Sequence, residues 1–255
     1  MSLKCLDVHH NNIQNDFVIG DIHGQFEEFV YAIVNYEKIT DANIIVLGDI
    51  GMGFYKENYY YNVLKKINIK LKKNNINLFF FRGNHDDPQY FKDGKYNKSN
   101  IFFIDDYTII KTLSHSILCV GGARSIDKCV RWKWDKITQK IVTDGWWEGE
   151  RVIPIPENFD KDIQEYKDID IICTHCAPSN VEYDTKGIQN EYIIKDETLL
   201  DEIKIDQEIL YNLWEIVKPS KWYYGHYHHD KTEVVDEPIK VFIDDTDEGQ
   251  VGSWE

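Results

Sequence analysis

The sequence predicts an α/β fold with a largely parallel sheet in its N-terminal part, and two observations carry that expectation. Short, wholly apolar runs alternate with helical stretches between residues 17 and 81, the βαβ pattern of parallel sheets. Several of these runs stop abruptly at Gly, Asp, Asn or His, so polar chemistry collects at the C-terminal edge of the strands, where open α/β sheets keep their sites. The run Leu78-Phe79-Phe80-Phe81-Arg82-Gly83-Asn84-His85-Asp86 is the clearest case. It reads as a buried strand followed by an amide, an imidazole and a carboxylate, all able to bind metal or move protons.

In chain order, the first fifteen residues are polar and predict no element. Phe17-Val18-Ile19 reads as a strand running into Gly20-Asp21-Ile22-His23-Gly24. Phe26, Phe29, Val30, Ile33 and Val34 then recur at helical spacing, with Glu27, Glu28 and Glu37 off that face. The unit repeats in Ile44-Ile45-Val46-Leu47, which leads into Gly48-Asp49-Ile50-Gly51-Met52-Gly53. A second helix follows, with Val63, Leu64, Ile67 and Leu71 inward and lysines on its solvated face. Beyond Asp86 the pattern changes. Ile101–Ile104, Tyr107–Ile110 and Ser116–Val120 are short strands with few residues between them, which predicts antiparallel pairing. Ile169–Cys173 is a strand ending at Thr174-His175-Cys176, and a two-part helical region spans roughly 196–217, with Leu210, Leu213, Trp214 and Val217 on one face. Trp222-Tyr223-Tyr224 runs into Gly225-His226-Tyr227-His228-His229, and two closing strands lie around Val234 and Val241-Phe242-Ile243.

With 255 residues, 42% of them hydrophobic, the chain can bury a sizeable core, and no repeat or linker divides it. One domain over residues 1–255 is expected, carrying an insertion. The formal net charge of -15 opposes non-specific binding to nucleic acid or anionic membranes, so no nucleic-acid partner beyond small nucleotides is expected. Five scattered cysteines, an odd number, read as the reduced thiols of a cytosol-like compartment. No leader segment opens the chain and no apolar run approaches a membrane span, so a cytoplasmic protein without membrane contact is expected. Cys173-Thr174-His175-Cys176 has dithiol spacing but follows a strand instead of opening a helix, which argues against a redox role.

Five strand ends carry Asp21 and His23, Asp49, Asn84 and His85, His175, and His226 and His228. Taken singly each is ordinary: a Gly-Asp pair is usually a turn, and a histidine after a strand is usually just hydrogen-bonded. The same placement five times is not. Oxygen and imidazole donors without thiolate suit Mn, Fe, Zn or Ni and not a sulfur-built structural zinc site. So many side chains exceed the needs of one ion and suit two, sharing a carboxylate at the roughly 3.5–4 Å separation of two-metal hydrolases.

The motifs Asp21-x-His23, Gly48-Asp49, Gly83-Asn84-His85-Asp86, His175 and Gly225-His226-x-His228 resemble, in type and order, those of the calcineurin-like metallophosphoesterases, over about residues 17–229. The resemblance implies a four-layer α/β/β/α sandwich with two mixed β-sheets. It implies a dinuclear metal-dependent phosphoric ester hydrolase, either phosphatase or phosphodiesterase. Such an enzyme acts by in-line attack of a hydroxide bridging two divalent ions, manganese foremost and iron, zinc or nickel as alternatives. Carried over by position, Asp21, His23 and His228 would bind one metal, Asn84, His175 and His226 the other, and Asp49 would bridge them. His85 would be the catalytic acid, and Asp86 would hold it in orientation and raise its pKa.

Departures from relatives narrow the reading. The phosphoprotein phosphatases follow their Gly-Asp with an aromatic, a second Asp and an Arg. Here the loop is Ile50-Gly51-Met52-Gly53, so that phosphate-gripping arginine is absent, although Arg82 before Gly83 does match. Serine/threonine phosphatase-like activity is therefore an alternative to a general phosphoesterase. The break-repair nucleases add long DNA-contacting regions, for which this chain has neither the length nor the positive charge. Retromer-type relatives lose the catalytic histidine and serve as scaffolds. With His85, His226 and His228 all retained, a catalytically weak metal-bound scaffold is the lesser alternative.

The segment Gly121-Gly122-Ala123-Arg124-Ser125-Ile126-Asp127-Lys128 precedes Arg131, Trp132, Trp134, Trp146, Trp147 and Glu148. Four of the seven tryptophans fall there, defining a Trp-rich insertion at about 121–156. The combination looks like that of bacterial and phage-encoded metallophosphoesterases, with Glu148 and Glu150 matching loosely. Arg124 is the candidate ligand for the substrate phosphate, weighed evenly against a packing role, and the tryptophans read as packing. His229 reads as a surface or near-site imidazole, and His9-His10 as an exposed pair.

Overall fold

Side chains along each central strand alternate between two apolar environments, and that alternation builds the layers. The computed structural model describes residues 3–9, 12–135, 140–143, 145–166, 168–181, 190–228, 231–235, 239–243 and 252–253. The first half of the chain gives β1 (Lys4–Asp7), β2 (Asn15–Ile19), α1 (Phe26–Tyr31) continued by a π-helical turn at Ala32–Tyr36, β3 (Ala42–Val46), α2 (Glu57–Lys73), β4 (Ile76–Phe80), β5 (Ile101–Phe103), β6 (Thr108–Lys111) and β7 (Ser116–Val120). The second half gives α3 (Lys128–Arg131), β8 (Trp132–Asp135), β9 (Lys140–Thr143), α4 (Phe159–Asp162), β10 (Ile171–Thr174), α5 (Asn190–Lys195), α6 (Leu199–Val217), β11 (Lys221–Tyr224), β12 (Lys231–Val235), β13 (Ile239–Ile243) and β14 (Gly252–Ser253).

One sheet runs β14-β2-β3-β4-β5 and the other β1-β6-β7-β10-β11-β13-β12, while β8 and β9 pair as a separate hairpin. Strands β2 to β5 are mutually parallel, as are β7, β10, β11 and β13. Ile45, Leu47, Phe79 and Phe81 of the first sheet meet Ile117, Cys119, Ile171, Cys173 and Tyr223 of the second in a shared core. Their neighbours Ile44, Val46, Leu78 and Phe80 turn outward onto α1 and α2. On the far side, Leu118, Val120, Ile172, Trp222 and Tyr224 pack with Leu210 and Leu213 of α6. Three cores thus separate four layers, α/β/β/α. Because β3 and β4 are covered on both faces, every one of their residues is buried.

The helices bury the faces that periodicity predicts. Tyr60, Val63, Leu64, Ile67 and Leu71 are inside on α2, with Glu57 in its first turn and Lys70, Lys72 and Lys73 in its last, signs that match the helix dipole. Three expectations are corrected. Ile101–Phe103 does not pair antiparallel with the next strand; it extends the first sheet in parallel beside β4, and only β6 and β7 form the expected antiparallel pair. The polar N-terminus supplies β1, an edge strand parallel to β6, where two-sided burial is not needed. The C-terminal helical region begins at Asn190, earlier than expected. His10 and His229 lie outside the described residues, while His9 is exposed and paired with Asp7. Among the described residues no helix is long and apolar enough to cross a membrane.

A row of polar side chains crosses the first sheet at the end remote from the motif residues. Asn43 donates to Asp16 at 2.9 Å, Asn77 to Asn43 at 3.0 Å and Asn100 to Asn77 at 3.2 Å. Asp16, Asn43 and Asn77 are directly opposite one another in the strand register. Thr112, just after β6 of the second sheet, donates to Asp16 at 2.6 Å and ties the row across the sandwich.

Candidate metal centre

Parallel strands of both sheets point their C-terminal ends at one place, and the turns that follow them carry the polar motifs. Asp21 and His23 follow β2, Asp49 follows β3, Asn84 and His85 follow β4, His175 follows β10, and His226 and His228 follow β11. The turns are tight enough that His23, Asp49, His226 and His228 all adopt the left-handed backbone region that non-glycine residues avoid, at φ of 43°, 45°, 75° and 52°. Strain of this kind gathers at functional sites. Gly83 is required by close approach, since a Cβ there would lie 2.0 Å from Asp49 Oδ1.

Two clusters of donor atoms result, one from Asp21, His23 and His228 and one from Asp49, His175 and His226, each within 4.8 Å. In the first, Asp21 Oδ2 is buried without a hydrogen-bond partner, 3.3 Å from His228 Nε2 and 3.9 Å from His23 Nε2. In the second, His175 Nδ1 donates to the Leu47 carbonyl at 2.7 Å, which turns Nε2 toward Asn84 Oδ1 at 2.8 Å and Asp49 Oδ1 at 3.3 Å. A neutral Nε2 there would set a lone pair against two oxygens, so the arrangement demands a cation or a proton between them. Burial opposes charge on His175, yet the carboxylates of Asp49 and Asp21 lift it to about 9. Burial likewise opposes charge on Asp49, but His175, His85 and His23 hold it well below the usual carboxylate range. Desolvation and the adjacent His175 push His226 down to about 3, leaving a neutral imidazole suited to ligation. The donor set fits divalent cations.

Asn84 is the oxygen donor whose orientation is fixed from behind. Its amide nitrogen donates to Ser125 Oγ at 2.9 Å, and Ser125 donates to Glu150 Oε2 at 2.6 Å while its backbone N–H meets Oε1 at 3.0 Å. Ser125 and Glu150 are buried, so the stretch whose tryptophans read as packing and whose Arg124 read as packing or phosphate-binding holds Asn84 from behind. Tyr60, on the buried face of α2, was not singled out from the sequence. Its hydroxyl accepts from the N–H groups of Gly53 and Tyr55 and donates to the Gly51 carbonyl, each at 2.8 Å.

Two expected roles are corrected. Asp86 does not hold His85. Its carboxylate accepts the N–H groups of Ile50, Gly51, Met52 and Gly83 at 2.8–3.0 Å, so it organises the loop after Asp49. Burial and the Asp49 charge push Asp86 up to about 7. His85 instead meets Arg131, and burial lowers its pKa, with Arg131 adding to the effect, the reverse of the expected rise. Arg124 does not face the cluster: it lies 3.3 Å from Glu202 and 3.8 Å from Asp206 on α6. The adjacent Ser125 turns to Asn84. Arg82, matched to the phosphatases, is buried against Asp106 and donates to the carbonyls of Gly149, Glu150 and Arg151.

The profile of the calcineurin-like phosphoesterases matches residues 17–230, which spans all five strand ends. The chain belongs to that family. No curated protein matches this phosphoesterase at a significant level. Among solved structures it is similar to TT1561 of Thermus thermophilus, with a TM-score of 0.54 at 14% identity, covering 95% of this chain and 99% of that one. That likeness concerns the fold. More distant similarities are to GAP50, the anchor in the inner membrane complex of Plasmodium, and to a putative 5'-nucleotidase from Staphylococcus aureus. Their TM-scores are 0.45 and 0.40 at 12% and 13% identity; they cover 91% and 90% of this chain, and 71% and 48% of theirs. Family membership and the clustered donors support a metal-dependent phosphoesterase.

Proposed function

We propose that this phosphoesterase hydrolyses phosphate esters at a two-metal centre, with His85 as its catalytic imidazole. Asp21, His23 and His228 would hold one ion, Asn84, His175 and His226 the other, and Asp49, which clusters with His175 and His226, would serve both. The observation that carries the reading is the pair of buried donor clusters, one with an unpartnered carboxylate oxygen and one with donor atoms facing each other. Bound divalent ions, with manganese the first candidate, would supply Lewis acidity, lowering the pKa of water and neutralising charge on phosphoryl oxygens. The protein's own contribution is positional. Asp86 fixes the Asp49 loop, Ser125 and Glu150 aim the Asn84 oxygen, and Leu47 sets the His175 tautomer. His85, whose ring lies 3.8 Å from Asp49 Oδ2 and is partly open to solvent, is placed to give a proton or hydrogen bond to the departing oxygen.

The test compares wild type with His85→Asn on an alkyl phosphate ester and a p-nitrophenyl ester, with metal content measured by mass spectrometry. The variant should keep its metals while kcat on the alkyl ester falls by about 10²–10⁴. On the p-nitrophenyl ester, whose leaving group is stable as an anion, the loss should be much smaller. An equal loss on both would remove the proton-donor role and leave charge stabilisation. Loss of metal would make His85 a ligand.

A further inference from the structure

The insertion delivers one cation to the centre itself. Arg131, at the end of α3, places Nη1 2.7 Å from His85 Nδ1 and Nη2 3.0 Å from His85 Nε2. Its Nε donates to Asp127 Oδ2 at 2.7 Å, and Nη1 also reaches the Gly145 carbonyl at 3.1 Å. The guanidinium is thus gripped from behind by the segment that carries Ser125, while its outer edge faces the imidazole.

A guanidinium offers only donors, and a neutral imidazole accepts at a single nitrogen. His85 can therefore satisfy one of the two Nη contacts, and the other sets donor against donor. Two such groups side by side, next to the metal ligands, match an anionic acceptor with several oxygens. Arginine binds these bidentately. Side-chain accessibility of 23% for His85 and 17% for Arg131 leaves the pair reachable from solvent.

We propose that Arg131 is a substrate-binding residue that reads the phosphoryl group and makes this centre selective for phosphate monoesters over diesters. The inference rests on the two-metal reading above and names its substrate class. A monoester carries three non-ester oxygens and, at neutral pH, close to two negative charges. A diester has two such oxygens and one charge, and sets a second ester group where a third oxygen would meet Arg131. The arginine that the loop after Asp49 lacks is supplied from the insertion, held by Asp127.

The experiment uses metal-loaded protein as wild type, Arg131→Ala and Arg131→Lys. It measures steady-state kinetics on p-nitrophenyl phosphate and bis-p-nitrophenyl phosphate, affinity for inorganic phosphate by isothermal titration, and bound metal. Arg131→Ala should weaken phosphate binding and raise KM for the monoester by about 10–100-fold, the size of a lost charge-assisted contact. The loss on the diester should be at least about tenfold smaller than on the monoester and metal content should not change, with Arg131→Lys intermediate. Should Arg131→Ala fail to fold, Asp127→Asn frees the guanidinium without removing it and should weaken phosphate binding in the same direction. Unchanged phosphate affinity, or equal losses on both esters, would overturn the assignment. A wild type that binds metal and phosphate yet turns over neither ester would overturn the proposed function. Phosphate affinity would still decide for or against Arg131.

Discussion

Asn84 can offer either end of its amide to a cation, and only the oxygen binds one; Ser125 and Glu150 make that choice. Glu150 is fully buried, and burial raises it from near 4.5 to about 7 against its bonds to Ser125. A carboxyl raised on folding keeps its proton after the unfolded chain has released it. Its contribution to stability is therefore complete below about 4.5 and lost as pH climbs to about 7. Wild type should lose stability relative to Glu150→Gln across that interval, by up to about 3 kcal/mol. Urea unfolding at several pH values reads the difference, and parallel pH curves for the two proteins would contradict it. Residue type was legible at this scale, but direction was not. Arg124 and Arg131 are both arginines of the insertion, and nothing in their spacing says that one turns to α6 and the other to His85. Asp86 was recognised by its motif. Its partners are backbone N–H groups contributed by residues 50–52 and 83, and such groups leave no mark on a sequence.

The turns after the strands are the elements on which the centre depends, and the loop following β3 is held at both ends. Asp86 gathers the N–H groups of residues 50–52, and Tyr60 fastens Gly51, Gly53 and Tyr55. Asp86→Asn would turn an amide NH₂ toward backbone donors. At pH 8, where the carboxylate is charged, it should cost about 3 kcal/mol, twice or more the value of an ordinary hydrogen bond. Metal affinity should fall with it, because Asp49 sits on the same loop. Thermal unfolding together with metal titration separates this from a role in orienting His85, which would lower kcat and leave stability untouched. Elements with strong periodicity, such as α2 and the five strands ending in motifs, were legible, with strand ends shifted by a residue or two. The partner of β5 was not, because a three-residue apolar run is compatible with either sheet and with either direction. Edge strand β1 was missed because exposure on both flanks removes the apolar pattern that marks a strand.

Across the whole molecule, the four-layer arrangement follows from which runs are apolar on one face and which on both, and that much was present in the sequence once the motifs had grouped the strands. The amide row at the far end of the first sheet has a different kind of consequence. Strands β2, β3, β4 and β5 share a pattern at or next to their first residues, Asp16-Phe17-Val18-Ile19, Asn43-Ile44-Ile45-Val46, Asn77-Leu78-Phe79-Phe80 and Asn100-Ile101-Phe102-Phe103. Since β3 and β4 are buried on both faces, a two-residue slip keeps each apolar side chain on an apolar face, and what it misplaces is the pair Asn43 and Asn77. A two-residue slip nonetheless moves a strand by about 6.6 Å, enough to carry Asp49 away from His175. The matched amides favour the correct alignment over its neighbours during folding. Asn77→Leu should therefore lower stability by about 2 kcal/mol through the stranded partners Asn43 and Asn100. After refolding from urea it should regain wild-type helix content while a fraction of molecules binds no metal; full metal stoichiometry would show that alignment is kept by other means. Misfolding in this protein would then surface as inactive, well-structured molecules and not as aggregates, a failure that circular dichroism passes and a metal assay catches.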